Sequence, residues 1–223
     1  MSVVPTGCEA IDSLLGGGLL PKRINQFYGA SSTGKTNICL QALVSAHSAG
    51  KDVVYIDTEG GFSERRLEQL NGGEASSILD EVFFKRVLSF EEQKKVIDGL
   101  KEIEDEVDLV IIDSLTSQYR PELGNGNARE TNQELGRQVQ ELSRIARENE
   151  IPVLVTNQVY SDFESDEEEF RPIGGDILKY SSKIIVQLKR DGEKRIAVLK
   201  KHLFRGEGES ARFDICHNGI NGL

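Results

Sequence analysis

Tryptophan is absent and aromatic residues make up only 6% of the 223 positions. Any core must therefore be built mainly from aliphatic side chains. Long apolar runs are missing as well. The longest are strand-sized, such as Leu109-Val110-Ile111-Ile112, far short of the ~20 residues that a membrane-spanning helix needs. The first residues, Met1-Ser2-Val3-Val4-Pro5-Thr6-Gly7, have neither the charged nor the apolar region of an export signal, which points to a cytoplasmic protein. Cysteine is scarce: Cys8, Cys39 and Cys216 are far apart and form no CxxC pair. That spacing argues against a disulfide framework and against a zinc site, and it fits a reducing compartment. Excess positive charge is lacking too. The net charge of −10 argues against a dedicated nucleic-acid binder, whose footprint is basic. The deficit is uneven, however: residues 179–212 carry ten Lys or Arg against four acids, a basic C-terminal patch on an acidic body.

What is present is a regular alternation. Residues 8–15 have helical spacing (Cys8, Ile11, Leu14, Leu15) and stop at Gly16-Gly17-Gly18. Apolar strand-like segments follow at 24–28, 53–56, 82–84, 109–112 and 152–155. Between them lie segments of helical period at 36–49, 63–70, 90–104 and 129–149. Strand and helix in alternation predict an α/β fold with a mainly parallel central sheet and helices on both faces. After residue 180 the pattern changes: 184–188 and 196–199 flank Asp191-Gly192, which reads as an antiparallel hairpin, and 211–216 adds a further strand. With no internal repeat and no long linker, the chain reads as a single domain over 1–223.

The chemistry is concentrated in Gly29-Ala30-Ser31-Ser32-Thr33-Gly34-Lys35-Thr36, a full match to GxxxxGK[ST] between an apolar strand and a helix. Glycines allow successive backbone N–H groups to turn toward a phosphate, and the helix N-terminus adds positive potential there. Lys35 is suited to neutralising β- and γ-phosphate oxygens, and the Thr36 hydroxyl to ligating Mg2+. Such a loop needs a carboxylate for the metal shell. Asp113, ending the apolar 109–112 strand, is that candidate, because a charge there is costly unless it faces a cavity or an ion. Asp57-Thr58-Glu59 follows the next strand after the loop, and Glu59 is a candidate base for a water attacking the γ-phosphate. ATP and Mg2+ are thus the expected ligands. Arg120 and Arg129 flank Gly124-Asn125-Gly126-Asn127, a polar and moderately basic segment suited to phosphate contacts.

These residues resemble the RecA-type recombinase family, most closely its archaeal RadB branch, over nearly the whole chain. Thr6-Gly7-Cys8 through Gly16-Gly17-Gly18 looks like the element preceding the family's phosphate loop. Tyr55-Ile56-Asp57-Thr58-Glu59-Gly60 is similar to the strand bearing its catalytic glutamate. The resemblance implies that Arg66 lies over adenine and that Asp113-Ser114 to Tyr119-Arg120 leads into a first DNA loop. It also implies that Gln158, in Thr156-Asn157-Gln158-Val159, senses the γ-phosphate and reports to a second DNA loop ending at Pro172-Ile173-Gly174-Gly175. The expected fold is then a RecA-like ATPase core. It lacks the N-terminal helical DNA-binding domain and polymerisation segment of full recombinases.

Two departures qualify the resemblance. Lys201-His202-Leu203 has Leu where the RadB stretch usually has Arg, which puts in doubt a reach toward a neighbour's nucleotide. The second DNA loop carries Asp162, Glu164, Asp166, Glu167, Glu168 and Glu169, a charge that repels phosphates. The resemblance implies a DNA repair and recombination accessory protein that binds and weakly hydrolyses ATP, binds single-stranded or branched DNA, assists the main recombinase and can self-associate. Two other readings stay open. One is a KaiC-like or helicase-like regulatory ATPase, and the other is a true strand-exchange recombinase.

Overall fold

Four segments bury every residue along their length: β1 (Ile24–Gly29), β2 (Val53–Asp57), β4 (Leu109–Asp113) and β5 (Val153–Asn157). Burial on both sides is what a parallel sheet covered by helices requires. The computed structural model of the protein describes residues 3–103, 106–125, 127–160 and 171–223. The acidic 161–170 stretch lies outside these described residues. To the four strands are added β3 (Phe83–Arg86), β8 (Ile184–Asp191), β9 (Lys194–Lys201), β10 (Ser210–Cys216) and β11 (Gly219–Gly222). They form one nine-stranded sheet in the order β11-β10-β9-β8-β1-β5-β4-β2-β3. From β8 to β3 the pairings are parallel, and from β8 to β11 they are antiparallel. A separate pair, β6 (Val159–Tyr160) and β7 (Arg171–Pro172), is antiparallel.

The period of two along each strand divides the core. Val53, Tyr55, Leu109, Ile111 and Leu154 face one layer, with α1 (Glu9–Leu15), α2 (Lys35–Ser48) and Leu67 of α3 (Glu64–Asn71). Val54, Ile56, Val110, Ile112, Val153 and Val155 face the other, with α5 (Phe90–Gly99), α7 (Ala128–Glu148) and α8 (Gly175–Ser181). A short α4 (Ser76–Leu79) precedes β3, and α6 (Tyr119–Glu122) follows β4. Among the described residues no helix is long and apolar enough to cross a membrane.

The expected α/β fold with an antiparallel C-terminal extension is the one observed. Local boundaries differ. The strand expected at 82–84 is Phe83–Arg86 at the sheet edge, with Phe83 half exposed. The helix expected over 90–104 ends at Gly99, a poor helix former, and continues as a 3-10 turn over Leu100–Glu102. Neither α8 nor β11 carries a periodic apolar pattern long enough to read from sequence.

Candidate nucleotide-binding site

Sheet register assembles the motifs. Tyr28 is level with Asn157, and Asp57 with Asp113, so the phosphate loop, Asp113, Gln158 and Glu59 all emerge at the carboxyl edge of adjacent strands. Open α/β sheets bind ligands at that edge.

Steric fit shapes the loop. A Cβ on Gly29 would lie 2.4 Å from the Leu188 carbonyl oxygen and 2.9 Å from Thr33 Oγ1. Gly34, at φ +105°, caps α2, and a Cβ there would meet Ile215 Cδ1 at 3.0 Å. The Lys35 Nζ donates to the Gly29 and Ala30 carbonyls, each at 2.9 Å. Burial lowers its pKa, against the pull of Glu59 and Asp113. Thr33 is buried beneath the loop and donates to the Ala30 carbonyl at 2.8 Å. The remaining loop residues line a pocket of about 360 Å³, together with Asn37, Glu59, Arg120, Gln158 and Val159.

Asp113 is almost wholly buried at the back of this site. One carboxylate oxygen accepts from Thr156 Oγ1 at 2.5 Å and the other from the Tyr55 hydroxyl at 3.4 Å. Burial raises its pKa, while hydrogen bonds from Thr156 and Thr36 oppose the rise. The Thr36 hydroxyl beside the Asp113 carboxylate is a hard-oxygen pair of the type Mg2+ takes. Among the described residues no cluster of three His, Cys, Asp or Glu side chains could hold a metal by protein ligands alone. That suits an ion completing its shell with water and substrate oxygens. The residues present therefore fit Mg2+.

Glu59 accepts from Gln158 Nε2 at 3.0 Å, so the candidate base and the candidate sensor are in contact. Asp57 has a different task from its neighbour. Its carboxylate accepts from the N–H groups of Glu59 (3.2 Å), Gly60 (2.8 Å), Gly61 (3.2 Å) and Phe62 (3.3 Å), and from Arg86 at 3.4 Å. It builds the turn that carries Glu59.

The segment after β4 is fastened on both sides. Thr58 Oγ1 donates to the Ser114 carbonyl at 2.6 Å and accepts from the Ser114 N–H at 2.9 Å. Gln118 Nε2 donates to the Thr58 carbonyl at 2.7 Å. Thr116 hydroxyl donates to Asn157 Oδ1, and Asn157 Nδ2 donates to the Ile173 carbonyl at 2.6 Å.

Not every expected residue reaches the pocket wall. Arg66 stands one side chain away: its Nε donates to Asn37 Oδ1 at 2.7 Å, and its Nη1 to Gln69 Oε1 at 2.9 Å and to the His217 carbonyl at 2.7 Å. Arg129 is exposed on the first turn of α7, whereas Arg120 lines the pocket of the Gly29–Thr36 loop. Sequence reading missed Asn37, Val159, Tyr55 and the C-terminal wall, where Arg195 Nε donates to the Ser32 carbonyl at 3.2 Å. The helical position after Thr36 could have flagged Asn37. Nothing local signals Arg195, which lies 163 residues beyond its partner.

Known proteins of similar sequence and structure fall in one family. A sequence model of the Rad51 family matches residues 1–223. The chain is 40% identical over 223 residues to the DNA repair and recombination protein RadB of Methanosphaera stadtmanae, covering 98% of this chain and 95% of that protein. It is 41% identical over 221 residues to the RadB protein of Methanoculleus marisnigri, covering 97% and 96% respectively. A crystal structure of the RadB recombinase superposes with a TM-score of 0.82 at 36% identity, covering 99% of this chain and 100% of that one. The chain belongs to the Rad51 family of RecA-like proteins, and within it to the RadB branch.

Proposed function

We propose that the protein binds and slowly hydrolyses ATP at the Gly29–Thr36 loop and serves DNA repair and recombination as an accessory to a main recombinase. The observation that carries the ATPase reading is the Glu59–Gln158 contact at 3.0 Å on the wall of the phosphate-loop pocket. In this reading the loop N–H groups and Lys35 hold the phosphates, with Lys35 exchanging its two carbonyl partners for phosphate oxygens. Thr36 and Asp113 would hold Mg2+, which supplies charge neutralisation on the β- and γ-phosphate oxygens. Glu59 takes the proton of the attacking water, the new bond forms to the γ-phosphorus, and the bond to the β-phosphate oxygen breaks to release ADP. Gln158 holds Glu59 in place and links it through Asn157 to Ile173, beside the second loop. Arg66 positions Asn37 at the pocket wall, in reach of the base end of the nucleotide.

DNA contact is assigned to the first loop, with Arg129 exposed at its end and Arg120 at its start. The accessory role, as opposed to strand exchange, is supported by the acids of the 161–170 sequence, which disfavour a tight grip on phosphates. The family likeness supports a partner among recombination proteins, or a second copy of the chain.

The test is ATP turnover with and without single-stranded DNA, with Lys35→Ala as the blank. Slow turnover, lost in Lys35→Ala and in Glu59→Gln and little altered by DNA, is the expected result. Strong stimulation by DNA would restore the strand-exchange reading. Turnover surviving Lys35→Ala would remove the phosphate loop from the chemistry.

A further inference from the structure

Arg120 was read from sequence as a DNA-loop residue, yet its side chain lies on the wall of the phosphate pocket with Lys35, Glu59 and Gln158. It is exposed, and among the described residues its guanidinium has no hydrogen-bond or ion-pair partner. Its backbone is not free to drift. The Arg120 N–H donates to the Thr116 carbonyl at 3.2 Å, and the adjacent Tyr119 is buried, with its hydroxyl donating to Asn132 Oδ1 at 2.5 Å. The same short segment is hydrogen-bonded to Thr58, the residue before Glu59, and to Asn157, the residue before Gln158. Arg120, Glu59 and Gln158 are therefore carried by three backbones that are fastened to one another.

The cations of the pocket are arranged in depth. Lys35 is buried at the base of the loop, on the Gly29 and Ala30 carbonyls. Arg120 is exposed and lines the same pocket as Glu59 and Gln158. A water activated by Glu59 must attack the terminal phosphorus, so that phosphate must sit near Glu59, in the pocket that Arg120 also lines. A diphosphate lacks that phosphate. The planar guanidinium fork matches phosphate oxygens two at a time.

Resting on the reading of this pocket as an ATP site, we propose that Arg120 contacts the γ-phosphate from within its own subunit and so distinguishes ATP from ADP. The group opposes charge that develops on the transferred phosphoryl, and the segment bearing it leads straight into the first loop. The presence of the γ-phosphate is thereby registered at the start of that loop.

The test is a titration of the full chain with fluorescent ATP and ADP analogues in Mg2+, without DNA, for wild type, Arg120→Ala, Arg120→Gln and Arg120→Lys. Loss of a charge-assisted contact to phosphate should weaken ATP binding by about tenfold or more. ADP binding should stay within about twofold of wild type, since its phosphates end at Lys35. Arg120→Lys should recover part of the ATP preference, and a thermal melt matching wild type shows that the fold is kept. An ATP-to-ADP affinity ratio unchanged in both Arg120→Ala and Arg120→Gln overturns the proposal, whether or not DNA binding falls. Lys35→Ala separates the two layers of inference: if it binds both nucleotides as wild type does, the pocket itself has been misread.

Discussion

Replacing Gly29 and Gly136 in turn by alanine makes one chemical change in two settings, with opposite expected signs. At Gly29 the added Cβ would lie 2.4 Å from the Leu188 carbonyl oxygen, where ordinary contact begins at 3.4 Å. The obstacle is backbone, and Gly29 and Leu188 are register partners in the β1–β8 ladder, so β8 must move away by about an ångström. Overpacking of this kind costs about 1–3 kcal/mol, which in a chain of this size lowers Tm by roughly 2–12 °C. Gly136 sits inside α7, and a Cβ there meets nothing within 4 Å. Its substitution removes backbone freedom from the unfolded chain and should stabilise by about 0.5–1 kcal/mol, raising Tm by roughly 1–4 °C. Far-ultraviolet circular dichroism on heating is the suitable assay, since there is no tryptophan for intrinsic fluorescence. A Gly29→Ala melt within a degree of wild type, or a Gly136→Ala melt below it, would refute the steric argument.

Asp113→Asn should trade function for stability. Because burial raises the folded-state pKa of Asp113, the native state holds that proton more tightly than the unfolded chain. Its contribution is then fully present at low pH and is lost as pH rises from the ordinary carboxylate range through the raised value. Asp12 shifts in the same sense, so the diagnostic quantity is the difference between the wild-type and Asp113→Asn melting profiles. The variant should gain on wild type as pH increases through that window, while losing Mg2+-dependent ATP turnover. A constant difference across pH would show that the carboxylate bears no such burial penalty. Asn25, fully buried, accepts from the Leu20 N–H at 2.9 Å and donates to the Leu20 and Arg23 carbonyls at 3.0 and 3.1 Å. Asn25→Ala should destabilise by about 2–4 kcal/mol in a urea melt, since several buried backbone groups lose their partner at once; a loss under about 0.5 kcal/mol would mean that they find others.

The legible parts of this molecule are those written in consecutive residues. The apolar runs at Val53, Leu109 and Val153 are strands buried on both faces, and they read as such. The loop from Gly29 to Thr36 is dictated by its own glycines and the helix that follows, so motif and fold agree there. Asp57 was legible as part of a strand end but not as the anchor of the Glu59 turn, because that task depends on four N–H groups converging in space. Arg120 was placed by its neighbours in sequence with a DNA loop; that its side chain also lines the pocket of the Gly29–Thr36 loop depends on the Gln118–Thr58 and Thr116–Asn157 hydrogen bonds, which join segments far apart in sequence. β11, reading Gly-Ile-Asn-Gly, has little strand propensity of its own and exists as the partner of β10.

The wall built by the last strands gives the phosphate loop an unusual birth order. Arg195 on the Ser32 carbonyl, Ile215 beside Gly34 and the His217 carbonyl on Arg66 are made 150 or more residues after the groups they meet. Strand β1 must likewise wait for β5 and then β8 to flank it. Contacts of such long sequence separation form slowly. The nascent chain therefore carries the whole phosphate-loop motif without its wall until residue 217 has been made. A C-terminal truncation that spares every motif residue would still leave the loop unwalled.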